Sequence, residues 1–220
     1  MTSPTPSVRP PPAARVKLAE TPSEWAGAVA VRLAIFVDAQ GVPLTAEMDE
    51  HDRSAVHAIA ILSVPGPDGG ALRPIEGEIA PEVARGLAPA REGTAVRAAA
   101  QAGKYLPLSL SGARSSAKDA VTLAPVVGTG RLLRAAGGVA RIGRIAVLPE
   151  WREQGIGSRI LRLLEEAALA RGAQQVLLHA QVQVREFYER RGYTAPDPTR
   201  EFLEDNIRHV RMIRPLSPDM

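Results

Sequence analysis

Residues 152–157, with the sequence REQGIG, combine two closely spaced glycines with the predicted start of a helix. Glycine has no Cβ, so the backbone at Gly155 and Gly157 can approach a ligand closely. The first turn of a helix also offers unpaired N–H groups at the positive end of the helix dipole. The segment therefore predicts a cradle for an anion such as a pyrophosphate. The plainer interpretation is a glycine-rich turn without a ligand.

Two common phosphate-binding motifs do not fit this segment. A dinucleotide-binding G-x-G-x-x-G motif needs Gly or Ala at position 160, and the chain has Ile160 there. The Gly-Lys-Ser/Thr end of a P-loop does not occur in the sequence. The predicted cradle is therefore neither a Rossmann fingerprint nor a Walker motif.

The elements that must position the cradle follow from the apolar pattern on both sides of it. Residues 126–133 and 140–148 read as two strands joined by the turn at 135–138, and together they predict a hairpin. From Ile156 onward the apolar residues recur at helical spacing until Gly172, which predicts an amphipathic helix. The cradle would thus lie between the returning strand and this helix.

The remaining elements complete an α+β fold, which we predict to be a mixed central sheet with helices on both faces. Further strands are expected at 16–18, 55–62, 176–179, around Tyr193 and at 209–213. A helix capped by Ser23 carries Trp25, Val29, Leu33 and Phe36 on one face, and a short helix around Phe187 and Tyr188 ends at Gly192.

Composition limits the domain organisation and excludes several classes of site. With 220 residues the chain can form one large domain or one ordinary domain with appendages, and with 4% aromatic residues its core must be mainly aliphatic. We predict a disordered Pro-rich tail at 1–15, a domain at 16–214 interrupted by a low-complexity, disordered insertion at 65–124, and a tail at 215–220. The absence of cysteine excludes disulfides, thiolate metal sites and a cysteine nucleophile.

Charge and hydropathy indicate a cytoplasmic protein with small-molecule partners. The net charge is +3, and the arginines are scattered between carboxylates rather than gathered in a basic stripe, which disfavours nucleic acid as a partner. No apolar run of about 18 residues is present to span a membrane. The basic N-terminal tail leaves organelle targeting open, although the prolines at 10–12 oppose an amphipathic helix there.

Residues 147–157 resemble the acetyl-CoA signature of the GNAT acetyltransferase superfamily, whose pattern is Gln/Arg-x-x-Gly-x-Gly/Ala. Residues 180–181 and 187–193 resemble that superfamily's later strand and helix. Residues 35–43 and 49–52 resemble the N-terminal part of its ElaA-like branch. Residues 202–212 also fit that branch, although Asn206 and Arg208 replace the expected Gly and Pro, and Val184 replaces a small residue. The resemblance covers residues 16–64 and 125–214.

This resemblance implies a GNAT-like acyl-CoA N-acyltransferase fold and an acetyl-CoA-dependent N-acetyltransferase without a metal. The pantetheine arm of acetyl-CoA would pair with strand residues near Ile145, and the amides of residues 154–157 would hold the pyrophosphate. An acceptor amine would attack the acetyl group directly, and Tyr188 would protonate the departing thiolate as general acid. The residues expected to bind acetyl-CoA are Ile145, Ala146, Val147, Arg152, Gln154, Gly155, Ile156 and Gly157.

Several assignments stay open at the level of sequence. Tyr188 beside Phe187 could be a core residue instead of an acid. Candidate general bases, by residue type, are His51, His57, His179, His209, Glu47, Asp49 and Glu204. For His179 we expect a hydrogen-bonded interior histidine, for residues 49–52 a solvated surface or substrate rim rather than a metal site, and for Arg131, Arg134, Arg141 and Arg144 solvated flanks. The alternative function is a GNAT-fold module that binds acyl-CoA without turnover, as a sensor or interaction protein, and a homodimer is compatible with the sequence.

Overall fold

A computed structural model describes residues 13–65, 72–74, 104–105 and 124–217 of the chain. Its strands are β1 (Ala13–Leu18), β2 (Val56–Pro65), β3 (Leu72–Pro74), β4 (Val126–Ala136), β5 (Val139–Val147), β6 (Gln175–Gln181), β7 (Glu201–Glu204) and β8 (Ile207–Pro215). Its helices are α1 (Pro22–Arg32), which continues as a π-helix over Leu33–Ala39, α2 (Leu44–Glu47), α3 (Ile156–Leu169) and α4 (Arg185–Glu189). Short 3₁₀ segments cover Glu50–Arg53, Pro149–Trp151 and Val182–Val184.

The strands form one mixed sheet in the order β1-β2-β4-β5-β6-β8-β7, and β3 pairs with β2 outside this path. Neighbouring strands are antiparallel except β5 and β6, which run parallel. A Cβ at Gly130 would lie 2.7 Å from Ile160 of α3, whereas the adjacent Arg131 points to the opposite face, where α1 packs. The prediction of a mixed sheet with helices on both faces is confirmed.

The N-cap of helix α1 lies two residues earlier than the sequence indicated. Thr21, and not Ser23, is the N-cap: its hydroxyl accepts the Glu24 N–H at 3.2 Å, and the Glu24 carboxylate accepts the Thr21 N–H at 3.2 Å. Pro22 follows directly, and its fixed φ suits the first helical position. This reciprocal capping box satisfies two N–H groups that Ser23, already inside the helix, could not serve.

The parallel strands β5 and β6 pair only over Val139–Arg141 and Gln175–Leu177, and beyond these residues they separate. β5 also carries a bulge, because Thr129 of β4 faces Ala146 while Arg131 faces Gly143. The extra residue is accommodated at Arg144, which has a φ of 55°. The separation of the strands leaves backbone groups of the second half of β5 without a partner strand on that side.

Helix α3 packs tightly on the sheet at the end of this fork. Its apolar stripe is buried, with Ile156, Ile160, Leu161 and Leu164 each no more than 1% exposed. Gly128 and Gly130 of β4 lie directly beneath it, and a Cβ at either position would come within 3.1 Å of an isoleucine side chain. The close approach fixes the helix N-terminus beside the ends of β4 and β5.

The domain boundaries and one strand differ from the sequence-based prediction. β1 already begins at Ala13, and Leu216 packs on the core and donates its N–H to the Gln174 carbonyl at 2.8 Å, so the ordered domain exceeds 16–214 at both ends. No strand forms around Tyr193, where only an isolated bridge joins Thr194 to Ile213. On the side away from β6, the strand that pairs with β8 is β7, because Asp205 and Asn206 adopt positive φ values of 50° and 63° and close a tight hairpin.

Most of the predicted insertion at 65–124 lies outside the described residues. Within it, β3 pairs with Ser63–Pro65 at the end of β2, and Tyr105 packs against the core, so these short pieces differ from the predicted disorder. The tails at 1–12 and 218–220 are likewise outside the described residues. Among the described helices, none has the length and apolar character needed to cross a membrane.

Candidate active site

One cleft of about 1040 Å³ opens where β5 and β6 separate and reaches the start of α3. Of the residues predicted to bind acetyl-CoA, seven line it: Ile145, Ala146, Val147, Arg152, Gly155, Ile156 and Gly157. Gln154 is the exception, since its side chain lies 3.5 Å from the Glu150 carbonyl and does not line the cleft. The fold therefore places the end of β5, the turn before α3 and the first residues of α3 around one cleft.

The turn before α3 has an unusual backbone. Glu153 and Gly155 both have positive φ values, 64° and 72°, and Gly155 is the N-cap of α3. Arg152 closes the turn by donating from Nε to the Val147 carbonyl at 3.1 Å. A Cβ at Gly157 would meet the Phe187 ring at 3.5 Å, an ordinary van der Waals contact, so a side chain here would point between the first turn of α3 and α4. The turn therefore exposes N–H groups at a helix N-terminus, as an anion cradle requires.

Cationic side chains from the residues directly after α4 and from the turn before α3 lie at this end of the cleft. Arg152, Arg190 and Arg191 line the cleft at this end. Among the described lining residues here, Glu153 carries the one carboxylate, so positive charge is in excess. The Arg191 guanidinium lies 3.8 Å from the centre of the Phe187 ring and donates to the Ser158 hydroxyl of α3. No local pattern of the sequence marks these arginines as site residues, and their place two and three residues after Tyr188 is the signal that could have found them.

The indole of Trp151 supplies a further test of the cradle. Its Nε1 atom is buried and has no hydrogen-bond partner among the described residues, while the ring lines the cleft. A buried N–H without an acceptor costs free energy, and an acceptor atom of a ligand in the cleft would satisfy it. The residues at this end therefore suit an anionic ligand with several oxygen acceptors, such as a diphosphate.

Tyr188 lies both in the core and on the cleft. It is 9% exposed, and its ring makes edge contacts with Phe187 and Tyr193 at centroid distances of 5.0 and 5.7 Å. No described residue accepts or donates a hydrogen bond at its hydroxyl, and burial raises the pKa of Tyr188 to about 12. The phenol is therefore protonated at neutral pH and can donate its proton within the cleft.

The hydroxyl of Tyr193, in contrast, has a hydrogen-bond partner, and the residue is buried. The Tyr193 hydroxyl donates to Glu165 of α3 at 2.7 Å, and the Glu165 carboxylate also accepts a hydrogen bond from Arg214 of β8 at 2.8 Å. Burial and the Glu165 carboxylate raise the pKa of Tyr193 above its usual value. This tyrosine therefore ties α3 to the sheet, and it does not line the cleft.

The acidic segment after α2 follows the prediction of a solvated rim only in part, because Glu50 and His51 are exposed whereas Asp52 is buried. Glu47 and Asp52 are 0% exposed. Arg32 of α1 reaches Glu47 Oε1 with Nε at 2.6 Å and Asp52 Oδ1 with Nη1 at 2.6 Å. Glu47 and Asp52 are buried because Arg32 is fully buried where α1 packs on the sheet, and its positive charge must be neutralised there.

Arg131 and Arg144 join the same cluster, so the prediction that they are solvated flanks is wrong. Arg131 of β4 binds Asp49 at 2.8 Å and Asp52 at 2.9 Å. Arg144, at the bulge of β5, donates to the Ala46 carbonyl at 2.6 Å and places Nε 2.9 Å from Glu47 Oε2, without the alignment of a hydrogen bond. Three guanidinium groups thus face three carboxylates, and the buried cluster is neutral overall.

The buried cluster holds the bulge against the segment after α1. Glu47, Asp49, Arg131 and Arg144 all line the cleft as well. Arg134 and Arg141 remain exposed, as predicted. The floor of the cleft beside β5 is therefore built from ion pairs whose charges are already compensated within the protein.

The candidate bases separate by location. His57 lies beneath Trp25, with ring centroids 4.2 Å apart, and does not line the cleft, and burial lowers the pKa of His57 to about 4. His51, His179, His209 and Glu204 line the cleft without belonging to the buried ion cluster. His179 contacts Glu204 at 2.7 Å, as a hydrogen-bonded histidine should, but its side chain is still 25% exposed. In the described ranges no three His, Asp or Glu side chains are grouped so as to hold a metal ion.

Residues 116–216 match the family model of the acetyltransferase (GNAT) domain. An uncharacterised protein of Bacillus subtilis (strain 168), YyaT, is 40% identical over 91 residues, which are 41% of this chain and 60% of that protein. The chain spans only about three fifths of the length of the curated relatives it matches. The match to the family model lies in the half of the chain that contains the cradle and the fork.

Solved structures extend the likeness to nearly the whole chain at the level of the fold. An acyl-CoA N-acyltransferase from Pseudomonas aeruginosa superimposes with a TM-score of 0.55 at 21% identity, covering 92% of this chain and 99% of that one. Escherichia coli ElaA gives a TM-score of 0.54 at 16% identity over 92% of this chain and 99% of its own. The protein has the GNAT acyl-CoA N-acyltransferase fold, and its residues 116–216 are similar in sequence to the acetyltransferase (GNAT) domain.

Proposed function

We propose that this protein is an N-acetyltransferase that transfers the acetyl group of acetyl-CoA to a primary amine of a small molecule or protein. The observation that carries the proposal is the fork between β5 and β6, which opens into the same cleft as the glycine turn at the start of α3. An extended thioester arm can pair with the unpartnered backbone of β5, while its diphosphate lies at the helix N-terminus. One ligand would therefore use both features at once.

The charges of the cleft support an anionic acyl carrier. Arg152, Arg190 and Arg191 lie at the α3 end, where the diphosphate of acetyl-CoA would bind. The guanidinium of Arg191 is already oriented by the Phe187 ring and carbonyl and by Ser158, so little side-chain entropy is lost when it meets a phosphate. In this proposal Ile145, Ala146, Val147, Gly155, Ile156 and Gly157 line the path of the carrier.

The chain supplies a proton donor for the reaction. The neutral amine attacks the thioester carbon, the C–N bond forms, and the C–S bond breaks to release CoA thiolate. Tyr188 donates its phenolic proton to that thiolate and regains a proton from the nitrogen of the amide-forming adduct. Its pKa of about 12 keeps the donor protonated at neutral pH, and its unpaired hydroxyl has no competing partner among the described residues.

Within the superfamily we place the chain in an ElaA-like branch. The fold likeness to ElaA and the motifs at 35–43, 49–52 and 202–212 support this placement. Asn206 stands where the branch pattern has Gly, and its φ of 63° lies in the region that glycine favours and asparagine tolerates. The departure is therefore compatible with the same hairpin.

A two-part measurement tests the function. Acetyl-CoA should raise the Tm of the purified chain, and CoA release should be detected with at least one member of an amine panel containing polyamines, amino sugars, lysine peptides and free peptide N-termini. Mass spectrometry should find one added acetyl group on the acceptor. Stabilisation by acetyl-CoA without thiol release on any amine would support the alternative, a binding module without turnover.

A further inference from the structure

We propose that His179, held by Glu204, is the group that removes the proton from the acceptor ammonium, and that Glu204 is its positioning residue. The inference rests on the proposed acetyl transfer and assigns the base that this transfer needs. It follows from the position of His179 in the fork and from which of its two ring nitrogens already makes a hydrogen bond.

His179 lies at the apex of the fork. The last β6 residue paired with β5 is Leu177, and His179 is two residues further along β6, on the same face of the strand. A carrier inserted between the open ends of the strands would have its reactive end near this apex. Both His179 and Tyr188 line the cleft, so the proton donor and the proposed base share one cavity.

The hydrogen bonds of the ring define its tautomer. His179 Nδ1 is 2.7 Å from Glu204 Oε2 and 3.0 Å from Arg141 Nη2. Glu204 is ionised, because the hydrogen bond from His179 lowers the pKa of the carboxyl to about 2, and it can therefore only accept. Arg141 can only donate, so one nitrogen cannot serve both partners. The shorter contact, to a charged acceptor, assigns the Nδ1 hydrogen to Glu204.

This assignment leaves the other ring nitrogen, Nε2, with a lone pair. Among the described residues, Nε2 of His179 has no hydrogen-bond partner, and the side chain is 25% exposed. Arg141 then interacts with the carboxylate, at 3.8 Å from Glu204 Oε1, and not with the imidazole lone pair. When the ring is neutral, one nitrogen is tied to a carboxylate and the other keeps a lone pair on a side chain that lines the cleft, which is the arrangement that a general base requires.

Packing keeps the pair in place. The Phe202 ring contacts His179 edge-on, with centroids 4.8 Å apart, and stacks on His209 at 6.0 Å. Phe202 and Glu204 are alternate residues of β7 and share its inner face, while the turn at Asp205 and Asn206 ends that strand directly after Glu204. Because the hairpin is tight, the carboxylate has little freedom to leave the imidazole.

The other candidate bases are less available. Glu47 and Asp49 are paired with arginines in the buried cluster. His209 is 9% exposed, and its Nδ1 lies 2.9 Å from the Ile207 carbonyl. His51 is exposed and has no carboxylate partner among the described residues. His179 alone, within the described part of the cleft, combines an oriented ring with an accessible lone pair.

The proton balance of the step is simple. The acceptor R–NH₃⁺ transfers one proton to His179 Nε2, and the resulting R–NH₂ attacks the thioester carbon. After the C–S bond breaks, the thiolate carries the proton from Tyr188, and the second proton lost by the nitrogen restores Tyr188. His179 releases its proton to water, so one amide, one free thiol and one proton leave each cycle.

The pH dependence depends on the charges around the imidazole. These are Glu204 from β7, Arg141 from β5, and Arg211 and His209 from β8, of which Arg211 faces His179 directly in the strand register. Glu204 is the sole carboxylate in contact with the ring among the described residues. Removing its charge destabilises the imidazolium, so the acidic limb of the rate profile should move to lower pH.

The test compares His179→Gln, Glu204→Gln and the control Glu201→Gln, which changes a carboxylate on the outer face of the same strand. For His179→Gln we expect kcat/KM for the acceptor to fall by roughly 10² to 10⁴ with loss of the acidic limb, while the acetyl-CoA Kd stays within about twofold. Glu204→Gln should keep partial activity and shift that limb to lower pH. Glu201→Gln should behave as the parent.

The outcomes separate this assignment from the function on which it rests. If the parent releases no CoA with any amine, the proposed function fails and the assignment with it. If the parent transfers acetyl but His179→Gln retains both its rate and its acidic limb, His179 is not the base while the function stands. Should His179→Gln fail to fold, the Glu204→Gln profile decides, because an unshifted limb there contradicts the role of the pair.

Discussion

Arg32 of α1 and Asp52 of the 3₁₀ turn after α2 form a bidentate ion pair that is closed to solvent. Nη1 and Nη2 of Arg32 lie 2.6 and 3.1 Å from the two carboxylate oxygens of Asp52, and both side chains are at most 1% exposed. Burial alone would raise the pKa of Asp52, but Arg32 and Arg131 lower it to about 2. The pair joins the first helix to the segment that borders the cleft.

Asp52→Asn should therefore destabilise the domain strongly. The change leaves the charges of Arg32 and Arg131 without one shared carboxylate in a buried site, where such a loss costs about 3–5 kcal/mol. Urea unfolding at pH 7 measures the free energy of unfolding of both proteins. As a control, Glu166→Gln removes the exposed pair with Arg162 and should cost less than about 1 kcal/mol. Equal effects of the two changes would contradict the buried cluster.

His57 should make the stability depend on pH between about 4 and 6.5. Burial lowers its folded pKa from 6.5 to about 4, so in this window the unfolded chain binds more protons than the folded one. Stability is then full above pH 6.5 and is lost as the pH falls toward 4, by about 3 kcal/mol in total. Urea unfolding at pH 7 and pH 5 should show a smaller difference for His57→Gln than for the parent. An unchanged difference would count against the burial of a neutral His57.

Charge at the glycine turn should abolish acetyl-CoA binding. Gly155→Asp would bring a carboxylate against the diphosphate, a repulsion of about 4 kcal/mol at an effective dielectric constant of about 20. We expect the Kd, measured by calorimetry, to rise by at least roughly a hundredfold, and Gly155→Asn to have a smaller effect. Gly137→Asp is the matched control, because its φ of 59° is similar and it lies in the β4–β5 turn outside the cleft. A Kd unchanged in Gly155→Asp would remove the turn from the binding site.

Tyr188→Phe should lower kcat and leave binding nearly intact. The ring packing is kept and the proposed proton donor is lost, so we expect kcat to fall by roughly 10² to 10⁴ at an unchanged acetyl-CoA Kd. Tyr193→Phe removes the hydrogen bond to Glu165 and should lower stability by about 1 to 3 kcal/mol while kcat changes little. A Tyr188→Phe enzyme within about threefold of the parent, with chemistry rate-limiting, would transfer the acid role to another group.

Deleting residues 66–123 and joining the ends with a short Gly-Ser connector should leave a cooperative domain that binds acetyl-CoA. The ends are already adjacent, because Ile61 pairs with Val126 and the Leu62 N–H donates to the Pro125 carbonyl at 2.9 Å. Deleting only 75–103 keeps β3 and Tyr105, and the difference in Tm between the two variants measures what those pieces contribute. Loss of a cooperative transition in both variants would show that the segment is part of the core.

Local pattern was enough to predict most elements of the sheet and the position of the cradle. Alternating β-branched residues in β2, β4 and β5 and the apolar stripe of α3 reflect periodicities of two and 3.6 residues, which depend only on neighbouring residues. The glycine turn at 155 and 157 could also be predicted from the sequence, because the ability to adopt a positive φ and the absence of a Cβ are properties of single residues. The sequence also indicated Tyr188 through its resemblance to a known motif, and its role stays a prediction.

Only the tertiary structure decided which charges are buried. The residues 49–52 read as a solvated loop because four polar side chains in a row normally face water, yet Asp52 is enclosed by Arg32 and Arg131, which lie 20 and 79 residues away. The pairing of His179 with Glu204 joins two strands 25 residues apart, and no local periodicity records it. Ion pairs of this kind depend on strand order and register, which arise when the sheet closes, so the chemistry of the cleft follows from contacts between distant parts of the chain.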